Sequence, residues 1–222
     1  RPPVPEPLVG QAILPGYPAD IRHIHGFAEE AFIADLQAAM RAAPDTPEGV
    51  AILSLSGGGP NGAYGAGVLV GWTETGQRPE FQVVTGVSTG ALAAPFAFLG
   101  PDYDDRLTFA YTAVQDDDLY RAHVVRSVLA LFRSDAVADD SAFQETLAGL
   151  ITPPMLEAIA DEYRRGRRLY VCTHELVSGR AVYWNLTAIA ASGRPDALDL
   201  FRKVLLASAS VPILFPPQYF AV

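Results

Sequence analysis

The sequence AILSLSGGGPNGAYGAG, residues 51–67, places four glycines within the six-residue turn 57–62, directly after an apolar run. Nineteen residues after Gly67 comes a second glycine motif, GVSTG at residues 86–90. Ordered glycine loses more backbone entropy than any other residue, so each cluster needs a geometric reason. In both places an apolar run leads into a glycine motif and then into a helical pattern, and this repeated order decides the expected fold.

The residues around the two motifs predict alternating strands and helices. The apolar runs at 50–56 and 81–86 are short and β-rich, which favours strands buried on both faces. The stretches 63–76 and 88–100 that follow them have the composition and spacing of helices. Strand, helix, strand, helix implies parallel pairing, and the sequence therefore predicts a three-layer α/β/α domain with a mostly parallel central sheet.

The chain divides into a short N-terminal stretch and one large domain. Residues 1–26 begin with RPPVPEP, a proline-rich run that predicts an extended tether, and residues 27–222 hold the domain. Further helices are expected at 27–43 and 195–211, a strand pair at 168–176 and 180–186, and a mostly helical, charged stretch at 102–168.

Composition and charge exclude several classes of protein. Hydrophobic residues make up 50% of the 222 and charged residues 18%, which is typical of a folded globular domain and excludes wholesale disorder. The net charge of −9 argues against a nucleic-acid partner, because phosphate contacts need a basic surface. The one cysteine, Cys172, lies in an apolar run and is expected to be a buried thiol, since a nucleophile would need a nearby base.

In GVSTG, Ser88 has the position of a nucleophile. A strand that turns sharply into a helix and presents a side chain at the junction puts that residue in a strained backbone conformation. The residues two before and two after it must be small, and here they are Gly86 and Gly90. The hydroxyl of Ser88 would then lie at a helix N-terminus, where the helix dipole favours negative charge. An ordinary turn is the alternative, because G-x-S-x-G also occurs by chance.

The turn GGGPNG admits more than one use. Its spacing fits a dinucleotide-binding turn, but that use predicts an acidic residue at the end of the next strand, where the sequence has Thr85 and Gly86. A Walker loop is excluded because no Gly-Lys-Ser/Thr follows. Tandem glycines that open a helix leave a row of free backbone N–H groups, which can bind an oxyanion. The alternative is that the glycines only allow the strand and the helix to pack closely. The candidate oxyanion hole consists of Gly57, Gly58, Gly59 and Gly62.

These motifs, in this order, resemble those of the patatin-like phospholipases. That family has a G-G-G-x-x-G oxyanion turn, then G-x-S-x-G, then a helix that ends near a serine- and proline-containing run closing in F-P-P. The matching segments here are 57–62, 86–90 and SASVPILFPP at 208–217, and the likeness runs from about Val50 to the C-terminus.

The resemblance implies hydrolysis of acyl esters, commonly those of lipids, through a Ser–Asp dyad without histidine. On this basis Ser88 is the nucleophile, and the backbone amides of Gly58 and Gly59 line the oxyanion hole. The implied partner is a lipid or another ester substrate, and a membrane surface is a further candidate partner. No cofactor and no metal are expected.

Two features depart from the family pattern. The family often has Asp before the glycines and a basic residue before the last of them, whereas this chain has Ser56 and Asn61. The family's catalytic aspartate belongs to an Asp-Gly pair beyond F-P-P, and no aspartate among the 222 residues is followed by glycine. We therefore expect a truncated domain whose aspartate lies in a missing C-terminal segment or a separate chain. Asp196 and Asp199 precede Ser208 and are expected to be a helix cap and a solvated residue.

Other groups offer weaker alternatives to this site. A triad within the chain would use His123 or His174 with Asp139 or Asp161. A metal site would start from His23 and His25, but no third ligand lies nearby in the sequence. The acidic run 116–118 lacks the spaced ligands of a calcium loop and is expected to be a solvated turn. The arginines of 164–168 fit either anionic headgroups or the end of a helix.

A second function, from a different class, is a non-catalytic envelope or lipid-binding protein that keeps the fold without a complete dyad. The proline-rich start predicts export to the bacterial envelope, the periplasm or the medium, with a lipid anchor as one means of attachment.

Overall fold

A five-stranded mixed sheet forms the centre of the protein in the computed structural model, which describes residues 6–27, 29–44, 49–112, 141–210 and 216–222. The strands are β1 (Arg22–Ile24), β2 (Ile52–Leu55), β3 (Val83–Val87), β4 (Arg168–Glu175) and β5 (Arg180–Asn185). Their order across the sheet is β1-β5-β4-β3-β2. β2, β3 and β4 are parallel neighbours, whereas β5 pairs antiparallel with both β4 and β1.

Nine α-helices are present in the described part of the chain. They are α1 (Glu6–Val9), α2 (Glu29–Ala42), α3 (Gly62–Glu74), α4 (Thr89–Leu99), α5 (Asp104–Thr112), α6 (Ser141–Leu150), α7 (Pro153–Arg164), α8 (Leu186–Ala191) and α9 (Ala197–Ala209). Short 3-10 turns occur at Ala19–Ile21, Gly59–Asn61 and Pro101–Tyr103. Within these ranges no helix is both long and apolar enough to cross a bilayer.

Helices cover both faces of the sheet, so the predicted three-layer α/β/α fold is confirmed. Val84, Leu169 and Val171 belong to the main core, which they share with the buried residues of α4 and α9. The opposite face carries Val83 and Tyr170, which pack under Phe32, Leu36 and Ala39 of α2. The sheet is more mixed than expected: β4 and β5 form the predicted strand pair, but β5 also pairs antiparallel with β1, a strand that the sequence pattern does not predict.

The strand β2 is less buried than its apolar sequence predicts. It is the edge strand of the sheet, and Ile52 is 54% exposed. Its register partner on β3, Val83, is only 2% exposed because α2 packs over it. A continuous apolar run favours a strand buried on both faces, but it does not determine how far the covering helix reaches.

The described part of the N-terminal stretch differs from the expected extended tether. Residues 22–24 form β1 and pair with β5, from Arg22 opposite Trp184 to Ile24 opposite Val182. Five hydrophobic side chains of this stretch belong to the main core: Val9, Leu14, Tyr17, Ile21 and Ile24. The proline content of the first residues therefore did not predict the packing of those that follow.

Parallel pairing brings the two glycine motifs to the same end of the sheet. Leu55 lies opposite Gly86 in the register of β2 and β3. The turn 57–62 begins two residues after β2 ends, and Ser88 is the first residue after β3. Both motifs therefore follow the carboxyl ends of adjacent parallel strands, the edge at which α/β sheets place their binding sites.

Candidate active site

Ser88 lies at a sharp junction between β3 and α4. Its backbone angles are φ 56° and ψ −127°, and it is the one non-glycine residue with positive φ in the described part of the chain. A side chain is strained in this region, and such strain persists where the surrounding structure holds it. Ser88 is half-buried, and it directly precedes the first residue of α4. The predicted strand–turn–helix context of GVSTG is therefore present.

The glycines on either side of Ser88 lie where no side chain fits. A Cβ on Gly86 would be 2.6 Å from the Gly90 carbonyl oxygen and 2.8 Å from Ala91 Cα. A Cβ on Gly90 would be 2.3 Å from the carbonyl oxygen of Leu55. Because these neighbours are backbone atoms, they cannot rotate away. The sharp turn at Ser88 thus depends on glycine at both positions, and Gly90 also fixes how closely α4 approaches the end of β2.

The glycine turn after β2 lies against Ser88. A Cβ on Gly57 would be 3.1 Å from Ser88 Cβ and 3.7 Å from Ser88 Oγ. Gly58 and Gly59 have φ of 151° and 54°, conformations that favour glycine. The 3-10 turn Gly59–Asn61 then leads directly into α3. The structure therefore brings the turn and the hydroxyl together, while the assignment of its amides as an oxyanion hole stays a prediction.

Gly62 joins the turn to the first residues of α4. A Cβ on Gly62 would be 2.2 Å from Thr89 Oγ1 and 2.9 Å from Tyr111 Cε1. Tyr111, on α5, donates its hydroxyl hydrogen to the Thr89 carbonyl oxygen at 2.7 Å. Burial raises the pKa of Tyr111 to about 12, so this phenol stays protonated and remains a donor at neutral pH. Sequence reasoning missed Tyr111, since nothing in its neighbourhood along the chain marks it.

The backbone amide of Ser88 is bound by a side chain from α9. Ser88 N donates to Ser208 Oγ at 2.9 Å, and Ser208 Oγ donates to the Cys172 carbonyl oxygen at 2.6 Å. Ser208 opens the SASVPILFPP run, but its contact with Ser88 could not be read from the sequence. Within the described residues, Ser88 Oγ itself has no hydrogen-bond partner.

The structure does not assemble the alternative triad from its described members. Asp161 lies in α7 and forms an ion pair with Arg164. That helix leads into Arg168, the first residue of β4, which lies opposite Val83 at the start of β3. His174 lies six residues further along β4, so about 20 Å of extended strand separates it from Arg168. Asp161 therefore lies near the opposite end of β4 from His174. His123 and Asp139 lie outside the described residues, as does the acidic run 116–118.

The remaining candidates have other partners. His25 Nδ1 lies 3.4 Å from Glu29, and no group of three metal-binding side chains occurs in the described part of the chain. Burial lowers the pKa of His23, and burial raises the pKa of the Cys172 thiol. The four arginines of 164–168 all form ion pairs, with Asp161, Glu162, Glu80 and Asp35.

The expected helix cap at Asp196 has a different contact. Its side chain does not cap α9; it forms an ion pair with Arg194 and accepts a hydrogen bond from Tyr17 at 3.0 Å. Asp196 therefore fastens the N-terminal stretch to the domain, and it is not available to Ser88.

The five-stranded mixed sheet, its flanking helices and the two glycine motifs at the carboxyl ends of adjacent parallel strands define an α/β protein. The family described as patatin-like phospholipase matches residues 53–222, which is most of the chain, and the protein belongs to this family. A search of curated proteins found no significant match. Family membership supports lipid acyl hydrolase activity in general, and it agrees with the resemblance found from the three motifs.

Proposed function

We propose that the protein is a serine hydrolase that cleaves carboxylic ester bonds of lipids, with Ser88 as its nucleophile. The observation that carries this proposal is the contact between the two glycine motifs. Ser88 has a strained backbone conformation and is half-buried, and Gly57 lies so close that a Cβ there would be 3.7 Å from Ser88 Oγ. A nucleophile and a row of backbone donors within a few ångströms are what acyl transfer needs.

The first chemical step uses Ser88 and the turn. Ser88 Oγ attacks the ester carbonyl carbon and gives its proton to a carboxylate base, while the carbonyl oxygen becomes an oxyanion. The amides of Gly58 and Gly59 are proposed to donate to that oxyanion. Removing one such donor typically costs about 3 kcal/mol of transition-state stabilisation.

Collapse of this intermediate completes the transfer. The alcohol leaves with the proton held by the base, and the acyl group remains as an ester on Ser88. Water then gives a proton to the base and attacks the acyl carbon, which forms a second oxyanion at the glycine turn. As the bond between the acyl carbon and Ser88 Oγ breaks, the base returns the proton to Oγ, so that the fatty acid is released and the Ser88 hydroxyl is restored.

The base is proposed to be an aspartate that these 222 residues do not include. No aspartate in the sequence precedes a glycine, and no described carboxylate hydrogen-bonds to Ser88. The described aspartates nearest in the sequence to the F-P-P run are Asp196, which is paired with Arg194, and Asp199, which lies in the first turn of α9. Neither is placed at Ser88 by any hydrogen bond.

The test is ester hydrolysis by the full-length protein. Wild type and Ser88→Ala are compared on short p-nitrophenyl esters and on phosphatidylcholine vesicles, with released nitrophenol and fatty acid as readouts. We expect the variant to lose at least a thousandfold in kcat, because it has no nucleophile. Equal hydrolysis by both proteins would exclude the assignment of Ser88.

A second candidate function is lipid binding without catalysis. One observation favours this function: within the described residues, Ser88 Oγ has no hydrogen-bond partner. The described residues therefore do not supply a base for Ser88, and a protein without a base would bind the lipid without cleaving it. Vesicle flotation separates the two functions. Binding of phosphatidylcholine vesicles with no release of fatty acid would support this candidate, whereas turnover that depends on Ser88 would exclude it.

A further inference from the structure

We propose that Ser208 is a positioning residue that holds the Ser88 backbone in its reactive conformation. This inference rests on the proposed role of Ser88 as the nucleophile. Ser208 Oγ accepts a hydrogen bond from Ser88 N at 2.9 Å and donates its own hydrogen to the Cys172 carbonyl oxygen at 2.6 Å. One hydroxyl therefore joins the β3–α4 junction, β4 and α9.

The hydroxyl lies where the pairing of β3 and β4 ends. Val87, the last residue of β3, is the register partner of Cys172. Ser88 N is the next donor along the chain, and it reaches the Cys172 carbonyl oxygen only through Ser208 Oγ. The side chain thus extends the strand ladder by one step while the main chain of Ser88 turns away into α4. A direct backbone bond at this point would keep β3 extended.

The direction of the two hydrogen bonds determines what the Ser208 hydroxyl and the Ser88 amide can each bind. A serine hydroxyl has one hydrogen, and in Ser208 it is directed to the Cys172 carbonyl oxygen, so the oxygen is left to accept from Ser88 N. The Ser88 amide is thereby occupied and cannot donate to an oxyanion. The oxyanion donors must then come from other amides, which agrees with their assignment to the glycine turn.

The hydrogen bond also acts on the strained dihedral angles. A non-glycine residue at φ 56° persists only where its surroundings hold it there. Gly86 and Gly90 permit that conformation by leaving space, but they do not pull the chain into it. Ser208 supplies a directed contact to the Ser88 amide itself. Its loss is expected to widen the range of positions that Ser88 Oγ samples, and misplacement by about 1 Å can cost about a hundredfold in rate.

Two substitutions on the same helix end test this proposal. Ser208→Ala removes the bridging hydroxyl and keeps a good helix former. Ser210→Ala is the matched control, because the hydrogen bond that Ser210 Oγ donates among the described residues stays within its own helix end, to the Leu206 carbonyl oxygen at 2.7 Å. Both variants lose one hydroxyl from a half-buried serine, and the substitutions lie two residues apart.

The kinetic readout is the separation of kcat from KM on p-nitrophenyl esters, with the full-length protein. For Ser208→Ala we expect kcat to fall about tenfold to a hundredfold and KM to stay within about twofold, since both hydrogen bonds of this hydroxyl are made to backbone atoms of the protein. Ser210→Ala is expected to keep both values. An unchanged kcat in Ser208→Ala, or an equal loss in both variants, would overturn the proposal.

Amide hydrogen exchange at Ser88, followed by NMR, gives a readout that does not depend on activity. We expect exchange at Ser88 to become at least tenfold faster in Ser208→Ala and to stay the same in Ser210→Ala. The two variants should have the same thermal unfolding midpoint, so that global unfolding does not explain the difference in exchange. Unchanged exchange would overturn the proposal. If the wild type hydrolyses no ester, the proposed function fails, and the exchange rate still decides whether Ser208 holds this backbone.

Discussion

Tyr111 and Thr89 form a buried pair of hydrogen bonds that fastens the first turn of α4 to α5. The Tyr111 hydroxyl donates to the Thr89 carbonyl oxygen at 2.7 Å, and Thr89 Oγ1 lies 3.1 Å from the same phenolic oxygen. Both residues are almost fully buried, with 2% and 0% exposure. Since Thr89 follows Ser88 directly, α5 contributes to the position of the proposed nucleophile without reaching the site.

Tyr111→Phe should therefore destabilise the protein with little change in side-chain volume. The substitution leaves the buried Thr89 hydroxyl without its partner, and an unsatisfied buried polar group costs about 1–3 kcal/mol. We expect the free energy of unfolding in urea to fall by about 1–2 kcal/mol. Tyr64→Phe is the control, because Tyr64 is 80% exposed and its change should stay within about 0.5 kcal/mol. A loss of the same size in both variants would contradict the role of the buried pair.

Gly90→Ala tests whether the close approach of α4 to β2 is required. The added Cβ would lie 2.3 Å from the Leu55 carbonyl oxygen and 2.6 Å from that of Ser56, so the backbone must move. We expect a loss of about 2 kcal/mol in the free energy of unfolding and at least a tenfold loss of ester hydrolysis.

The control for this substitution is Gly67→Ala on α3. Gly67 is exposed, and a Cβ added there would meet no atom of a neighbouring element within 4 Å, so alanine gains helix propensity without a clash. It should stabilise the protein by about 0.5–1 kcal/mol. Equal effects at the two positions would show that the Gly90 contact does not constrain the turn.

The motifs that could be predicted from the sequence are those in which local backbone geometry dictates residue type. Gly86 and Gly90 are predictable because a sharp strand-to-helix turn excludes side chains on both sides of it, and a Cβ at either position would clash with backbone atoms. The turn 57–62 is marked by a different pattern, tandem glycines that open a helix and leave backbone N–H groups free. The parallel pairing of β2 and β3 followed from the order of strands and helices.

The features that could not be predicted depend on contacts between distant parts of the chain. Ser208 lies 120 residues from Ser88, and Tyr111 lies 22 residues from Thr89, so no local pattern links either pair. The exposure of β2 depends on how much of the sheet α2 covers, and the spacing of apolar residues along the sequence does not determine this. The prolines at the start of the N-terminal stretch predict a tether, whereas the pairing of β1 with β5 is a contact between residues more than 150 apart in the sequence.

Ile21→Ala tests the packing of that N-terminal stretch. Ile21 is 1% exposed and belongs to the main core, so truncation removes apolar contacts and leaves a cavity. We expect the free energy of unfolding to fall by about 2–4 kcal/mol. Ile13→Ala is the matched control, because Ile13 is 53% exposed and should change stability by less than about 1 kcal/mol. Two small and equal effects would mean that the stretch behaves as a tether in solution.

The contact between α2 and the sheet predicts a dependence of stability on pH. Asp35 of α2 accepts hydrogen bonds from Arg168 at 2.8 and 2.9 Å, from Asn185 at 3.1 Å and from the Tyr170 hydroxyl. Burial alone would raise the pKa of Asp35, but the hydrogen bonds from Arg168 and Tyr170 and the charge of Arg168 lower it below the usual value. A pKa that is lower in the folded state means that ionised Asp35 stabilises the fold.

This contribution should be fully present above the pKa of an unfolded aspartate, about 3.9, and be lost as the pH falls through the lower folded value. Asp35→Asn removes the charge and leaves Arg168 without its buried partner, so we expect a loss of about 3 kcal/mol near pH 7. The difference in free energy of unfolding between wild type and variant should stay constant from about pH 5 to 7 and shrink below about pH 4. Urea denaturation at a series of pH values measures it. A difference that grows on acidification would have the wrong sign for a lowered pKa and would exclude this account of how α2 is held to β4.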